Sequence, residues 1–182
     1  RLPLDRLQAD ASSRIRGDRI DAQLDNVQPS NADAEGTGKA SWHTGDAPGQ
    51  RFPGVMDLTA TLTRAEATRV HRYLPLTVPP EARRYVREAV VGGASNRVDF
   101  RVRGDVAAVP FDNPRDQGEF RISARLQDVD MDYVPVFLQS AGEAAWPGLR
   151  RVEGELVLDR PLPRRAMRAG QFEDQAAGDH AD

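Results

Sequence analysis

The most regular feature of the chain is a strict alternation of apolar and polar residues. From Val55 to Thr63, Met56, Leu58, Ala60 and Leu62 alternate with Asp57, Thr59, Thr61 and Thr63, the period of a strand with one dry and one wet face. Val98, Phe100 and Val102 alternate with Arg97, Asp99, Arg101 and Arg103, and Phe120, Ile122, Ala124 and Leu126 alternate with Glu119, Arg121, Ser123 and Arg125. Val129, Met131 and Tyr133 are interleaved with Asp128, Asp130 and Asp132, and Val152, Gly154, Leu156 and Leu158 with Glu153, Glu155 and Asp159. Each of these segments predicts a strand. Ile20, Ala22 and Leu24, and then Gly38, Ala40 and Trp42, keep the same spacing among smaller and more polar neighbours and predict two more.

Between Thr63 and Val98 the period changes. Thr63-Arg64-Ala65-Glu66 has the form of a capping box and predicts a helix from about Ala65 to Tyr73, stopped by Pro75. Pro79-Pro80 then opens a second helix running to about Val91. Glu81 suits its positive end, Ala82, Tyr85, Val86, Ala89 and Val90 share one face, and Gly92-Gly93 is placed for the left-handed residue after the last turn. The stretches Pro29 to Gly36, Thr44 to Pro53 and Asp112 to Gly118 read as connections. From Pro161 onward a basic cluster, Arg164, Arg165 and Arg168, precedes an acidic, Ala- and Gly-rich end, which reads as a frayed or truncated tail beside one β-rich segment over residues 1–160.

Strands of this kind pair into an antiparallel sheet whose dry face has to be covered. Two short helices cover only part of it. The remainder calls for a fold-back of the sheet, a neighbouring module of the same polypeptide, or a bound apolar ligand, and alternation alone does not choose among them.

Composition narrows the chemistry. The 182 residues carry 25 Lys+Arg and 28 Asp+Glu, a net charge of −3, and no cysteine. The length suits one domain with a substantial buried core. The charge argues against a nucleic-acid binder, which needs a basic surplus. The lack of thiols excludes disulfide scaffolds, Cys zinc sites, iron–sulfur clusters and thiol nucleophiles. The chain opens at Arg1-Leu2-Pro3-Leu4 without an initiator Met or a basic-then-apolar signal, so it reads as a piece of a longer polypeptide. Its longest apolar run, Tyr133 to Leu138, is far short of a membrane span, so any membrane anchor is expected outside it.

No constellation points to catalysis, a metal or a cofactor. Asp128, Asp130 and Asp132 begin like a calcium loop, but Tyr133 and Gln139 stand where that loop needs Gly and Glu, and on a strand the three carboxylates share the wet face. His43, His71 and His180 are isolated, and Glu153 and Glu155 lack an accompanying cleft motif. There is no Gly-x-Ser-x-Gly elbow and no phosphate-cradling loop. Arg69, Arg72, Arg83, Arg84 and Arg87 crowd the helices, diluted by Glu66, Glu81 and Glu88, and read as a solvated face with anionic headgroups as the alternative. Trp146 is expected to pack in the core at a turn.

An ordered set of short motifs resembles a known family. Pro53-Gly54-Val55-Met56-Asp57-Leu58-Thr59, Arg64-Ala65, Arg72-Tyr73-Leu74-Pro75, and Pro80 to Gly93 with Ala82, Arg83, Tyr85 and Val86 come first. Val109-Pro110-Phe111, Gly118-Glu119-Phe120, Asp132-Tyr133, Trp146-Pro147 and Gly154-Glu155-Leu156 follow. Together they resemble the central region of the YhdP family of AsmA-like proteins over about Phe52 to Asp159. The resemblance implies a periplasmic portion of an inner-membrane-anchored protein of a Gram-negative bacterium, similar to bridge-like lipid-transfer proteins. In those, a curved, taco-like sheet carries phospholipid acyl chains along an apolar trough toward the outer membrane. Acyl chains gain about 0.8 kcal/mol for each CH₂ removed from water, which a trough with a dry inner and a wet outer face supplies.

The combined expectation is an α+β fold, mainly a curved antiparallel sheet with two short helices inserted between strands. Met56, Leu58, Leu62, Val98, Phe100, Val102, Phe120, Ile122, Leu126, Met131, Leu156 and Leu158 would line the groove. The expected partners are phospholipid acyl chains, neighbouring segments of the parent chain, and a membrane reached through the parent's anchor. No enzymatic activity, cofactor, metal or nucleic acid is expected. The alternative is a structural or interaction module of a large envelope protein that never meets lipid.

Overall fold

The structure, a computed structural model, describes residues 4–45, 51–74, 78–109, 111, 118–140, 142, 144 and 146–159. The expected tail from Pro161 and most of the Asp112 to Gly118 connection lie outside these residues, as does part of the Thr44 to Pro53 connection.

Among the described residues, seven strands form one sheet in sequence order, every neighbouring pair antiparallel. They are β1 (Arg6–Arg16), β2 (Arg19–Ser30), β3 (Ala34–His43), β4 (Val55–Glu66), β5 (Val90–Asp105), β6 (Glu119–Met131) and β7 (Leu149–Asp159). A 3-10 helix, Ala67–Arg72, and the helix α1, Pro80–Ala89, are inserted between β4 and β5. The fold is the expected α+β one, a curved open sheet with two short helices. Because the order is a simple meander, the β2–β3, β4–β5 and β6–β7 connections share one end of the sheet, here called the helical end.

Curvature has a visible source. The ladders slip between Leu24 and Val27, Glu35 and Gly36, Ser95 and Arg97, and Leu126 and Val129, and Asn26, Asp128 and Arg151 take positive φ near 50°. These bulges form a band across the sheet toward the helical end, and each bends its strand and adds twist.

Several local expectations are corrected. Strand β1 has no counterpart in the sequence reading, because small and polar residues hide its alternation and all of it is exposed. The Pro29 to Gly36 stretch is mostly strand, with only Asn31–Asp33 left as the turn. The Thr63 capping box does not start a helix: β4 continues to Glu66, Ala65 pairs with Ala34 and Ser95, and the Thr63 hydroxyl donates to the Glu35 carbonyl. Ladder hydrogen bonds from both neighbours outweigh one local cap. Helix α1 ends at Ala89 instead of about Val91, and β5 begins at once with Val90 paired to Met131.

Gly93 therefore does not cap the helix. It sits in β5 with φ +95°, where a Cβ would lie 2.5 Å from Val129 Cα and 2.6 Å from the Asp128 carbonyl oxygen. Both the dihedral and the close approach of β6 demand glycine. The two strands expected around Phe120 and Met131 are one, bent at Asp128. Trp146 is 48% exposed and meets Tyr133 edge to face at 6.2 Å, so it is not a core residue.

Candidate functional site

Residues directly opposite each other in an antiparallel ladder point to the same face, so the register lays out the surface. One row runs Ala11, Leu24, Ala40, Leu58, Val102, Phe120. A second runs Val27, Gly38, Ala60, Phe100, Ile122, Leu158, and a third Gly36, Leu62, Val98, Ala124, Leu156. A fourth, shorter row runs Ala22, Trp42, Met56, Gly104. The alternation of each strand is thus matched in register by its neighbours, giving one continuous apolar face across the sheet. At about 4.8 Å between strands, seven strands make it roughly 29 Å long. Leu126 pairs with Ser95 and Gly154 near its helical end, and Met131, beyond the Asp128 bulge, pairs with Val90 and Leu149.

This face is covered only in part. Of the candidate groove residues, Val98 and Val102 are buried, each 8% exposed. Met56, Leu58, Leu62, Phe100, Phe120, Ile122, Leu126 and Met131 are half-buried, and Leu156 and Leu158 on the edge strand are about half exposed. Among the described residues the other buried apolar side chains are Ala89, Phe111, Val129 and Pro135. The substantial closed core expected from chain length is absent from this part of the molecule. The 3-10 helix contributes no buried residue and α1 only Ala89, so the helices add little of their own to a closed core.

The opposite face carries the charges. Arg101 donates to Asp57, to the Thr59 hydroxyl at 3.3 Å and, through Nε, reaches Glu119 at 3.2 Å. Arg97 Nε pairs with Asp99 at 2.7 Å, and the Thr61 hydroxyl donates to Asp99 at 2.7 Å. Arg121 pairs with Asp159 at 3.2 Å. The Arg101 hydrogen bond holds the Asp57 carboxyl below its ordinary range and raises Arg101, and the Arg97 and Thr61 hydrogen bonds lower Asp99. These pairs tie β4, β5, β6 and β7 together from the wet side. Crevices on the sheet, such as one among Asp25, Thr37, Lys39 and Thr61, include none of the candidate groove residues.

The carboxylates considered for chemistry are dispersed. Asp130 accepts from the Arg151 N–H, Asp132 pairs with Arg150 at 2.6 Å, and Glu153 accepts from the Asp128 N–H. Among the described residues no three His, Asp or Glu groups converge as for a metal ion. No helix among them is long and apolar enough to cross a membrane. Of the helical arginines, Arg84 and Arg87 pair with Glu88, and Arg72 pairs with Asp33.

A family model described as YhdP protein matches residues 1–168. The chain belongs to the YhdP family. The match reaches through the first fifty residues, which the motifs matched only loosely, and so takes in β1 to β3 as part of the same family unit. Searches of curated proteins and of solved structures return no match. The YhdP assignment supports a cell-envelope protein of lipid-transfer type.

Proposed function

We propose that this chain is a non-enzymatic, periplasmic segment of an inner-membrane-anchored lipid-transfer protein, and that its apolar face carries phospholipid acyl chains toward the outer membrane. One observation supports the reading above the others: an apolar face whose rows run in register over as many as six of the seven strands is covered only in part by the protein itself. Uncovered apolar area of that extent is costly in water, at about 25 cal/mol per Å². Acyl chains lying across the strands would remove it, with headgroups left in water at the open margins. YhdP family membership points the same way.

The test is native mass spectrometry of the protein purified without detergent, with extraction of bound lipid and analysis by mass spectrometry. Phospholipid recovered in stoichiometric amount, and lost in variants of the apolar rows, is the predicted result. A lipid-free protein whose apolar face is instead covered by adjoining segments would overturn the reading in favour of a structural module. The exposed Val136 and Leu138 in the β6–β7 connection, 81% and 54% exposed, are where such segments would also be sought.

A further inference from the structure

The groove leaves one motif unexplained: Arg72-Tyr73, in the insertion between β4 and β5. Arg72 reaches Asp33 Oδ2 at 2.6 Å, and the Tyr73 hydroxyl donates to the same oxygen at 3.3 Å while accepting from Asn31 Nδ2 at 2.9 Å. Asn31 and Asp33 are buried in the β2–β3 turn, which Asn31 Oδ1 holds by accepting the Asp33 and Ala34 N–H groups. A charge-assisted hydrogen bond on a buried carboxylate is among the stronger contacts such a surface can make. The insertion thus has one foot on the β2–β3 turn.

It has a second foot on the β6–β7 connection. The Tyr85 hydroxyl donates to the Tyr133 carbonyl at 3.1 Å, and the Arg84 guanidinium lies 4.1 Å over the Phe137 ring. Close by, the Ala89 carbonyl accepts from the Asp132 N–H at 2.8 Å, with Ala89 fully buried. The 3-10 helix and α1 pack on each other and on β5. The insertion therefore joins two connections that stand four strand spacings apart, about 19 Å along the sheet. It does so above the band of bulges, where the ladder is most easily bent.

We propose that the insertion is a two-footed clasp: Arg72 and Tyr73 at one foot, Arg84 and Tyr85 at the other, are positioning residues that set the curvature of the sheet at the helical end. The width of the apolar groove at that end follows from this curvature, a consequence that rests on the lipid-transfer reading; the mechanical claim does not.

The chain has no cysteine, so Gln28→Cys and Gln127→Cys, exposed positions on β2 and β6, accept spin labels without background. Double electron–electron resonance is measured on the lipid-extracted full chain. The first foot is released by Arg72→Met with Tyr73→Phe, the second by Arg84→Gln with Tyr85→Phe. Release of either foot is expected to broaden the distance distribution and lengthen its mean, toward the flat-sheet limit of four strand spacings, about 19 Å between backbones. Release of both should add little more, since a clasp with one free foot is already open. An unchanged distribution in both single-foot variants, with circular dichroism intact, overturns the clasp. So does a shift that simply adds between the feet, which would mean two independent local contacts. If a double substitution prevents folding, Tyr73→Phe and Arg84→Gln alone carry the same test. Absence of bound lipid overturns the groove reading and leaves the distance result standing.

Discussion

Phe100→Asp tests the open-face account most sharply. Phe100 sits mid-sheet, opposite Ala60 on β4 and Ile122 on β6, and is partly buried by protein. In a closed core the loss of a Phe side chain costs about 3–5 kcal/mol. Here protein covers about two thirds or more of the side chain and water reaches the new carboxylate, so the lipid-free fold should lose less, about 2–3 kcal/mol. Lipid retention should suffer more. Losing contact with two or three methylenes at about 0.8 kcal/mol each removes roughly 2 kcal/mol. Desolvating a carboxylate against acyl chains adds about 1–3 kcal/mol more. A total near 3–5 kcal/mol is at least a hundredfold weaker retention, at about 1.4 kcal/mol per factor of ten. Urea unfolding gives the first quantity and quantitative lipid extraction the second. A stability loss above about 4 kcal/mol would place Phe100 in a closed core and refute the reasoning, as would unchanged retention in a folded variant.

Other predictions follow from the same geometry. Arg101→Ala, on the wet face, should cost about 1 kcal/mol of stability and leave lipid retention unchanged, because half-exposed ion pairs that water reaches contribute little. Gly93→Ala should destabilise by about 1–3 kcal/mol in urea, since its φ of +95° and the contact with β6 both oppose a Cβ. Asp57 and Asp99 titrate below their ordinary value of 3.8 in the folded chain. Their contribution to stability is therefore complete above that pH and lost as pH falls through the folded-state values. The urea midpoint should drop on acidification below about pH 4, by less in the Asp57→Asn, Asp99→Asn double variant. Equal drops in both proteins would contradict the assignment.

The strands of the second half were legible because Met56 to Leu62, Val98 to Val102 and Phe120 to Leu126 alternate without interruption. The register that makes their faces continuous was implicit in the same pattern, since a slip of one residue would turn a whole strand over. Strand β1 was hidden because an exposed edge strand needs few large apolar residues. Its Leu7, Ala9, Ala11 and Ile15 carry a faint alternation that only the pairing with β2 makes meaningful. The Thr63 capping box misled because local hydrogen bonds lost to two ladder partners, and Gly92-Gly93 misled because a glycine required by a neighbouring strand resembles one that ends a helix. The clasp could not be read from sequence at all. Asp33 and Tyr73 are forty residues apart, and nothing local marks them as partners.

The most direct test of the central claim is site-specific photo-crosslinking in cells, with a photoreactive amino acid at position 122 or 121 of this chain. Ile122 lies in the apolar row beside Phe100 and Leu158, whereas Arg121 lies on the wet face paired with Asp159. The account predicts phospholipid adducts from position 122 and none from position 121. Adducts to protein alone from position 122, or lipid adducts of equal yield from both, would contradict it.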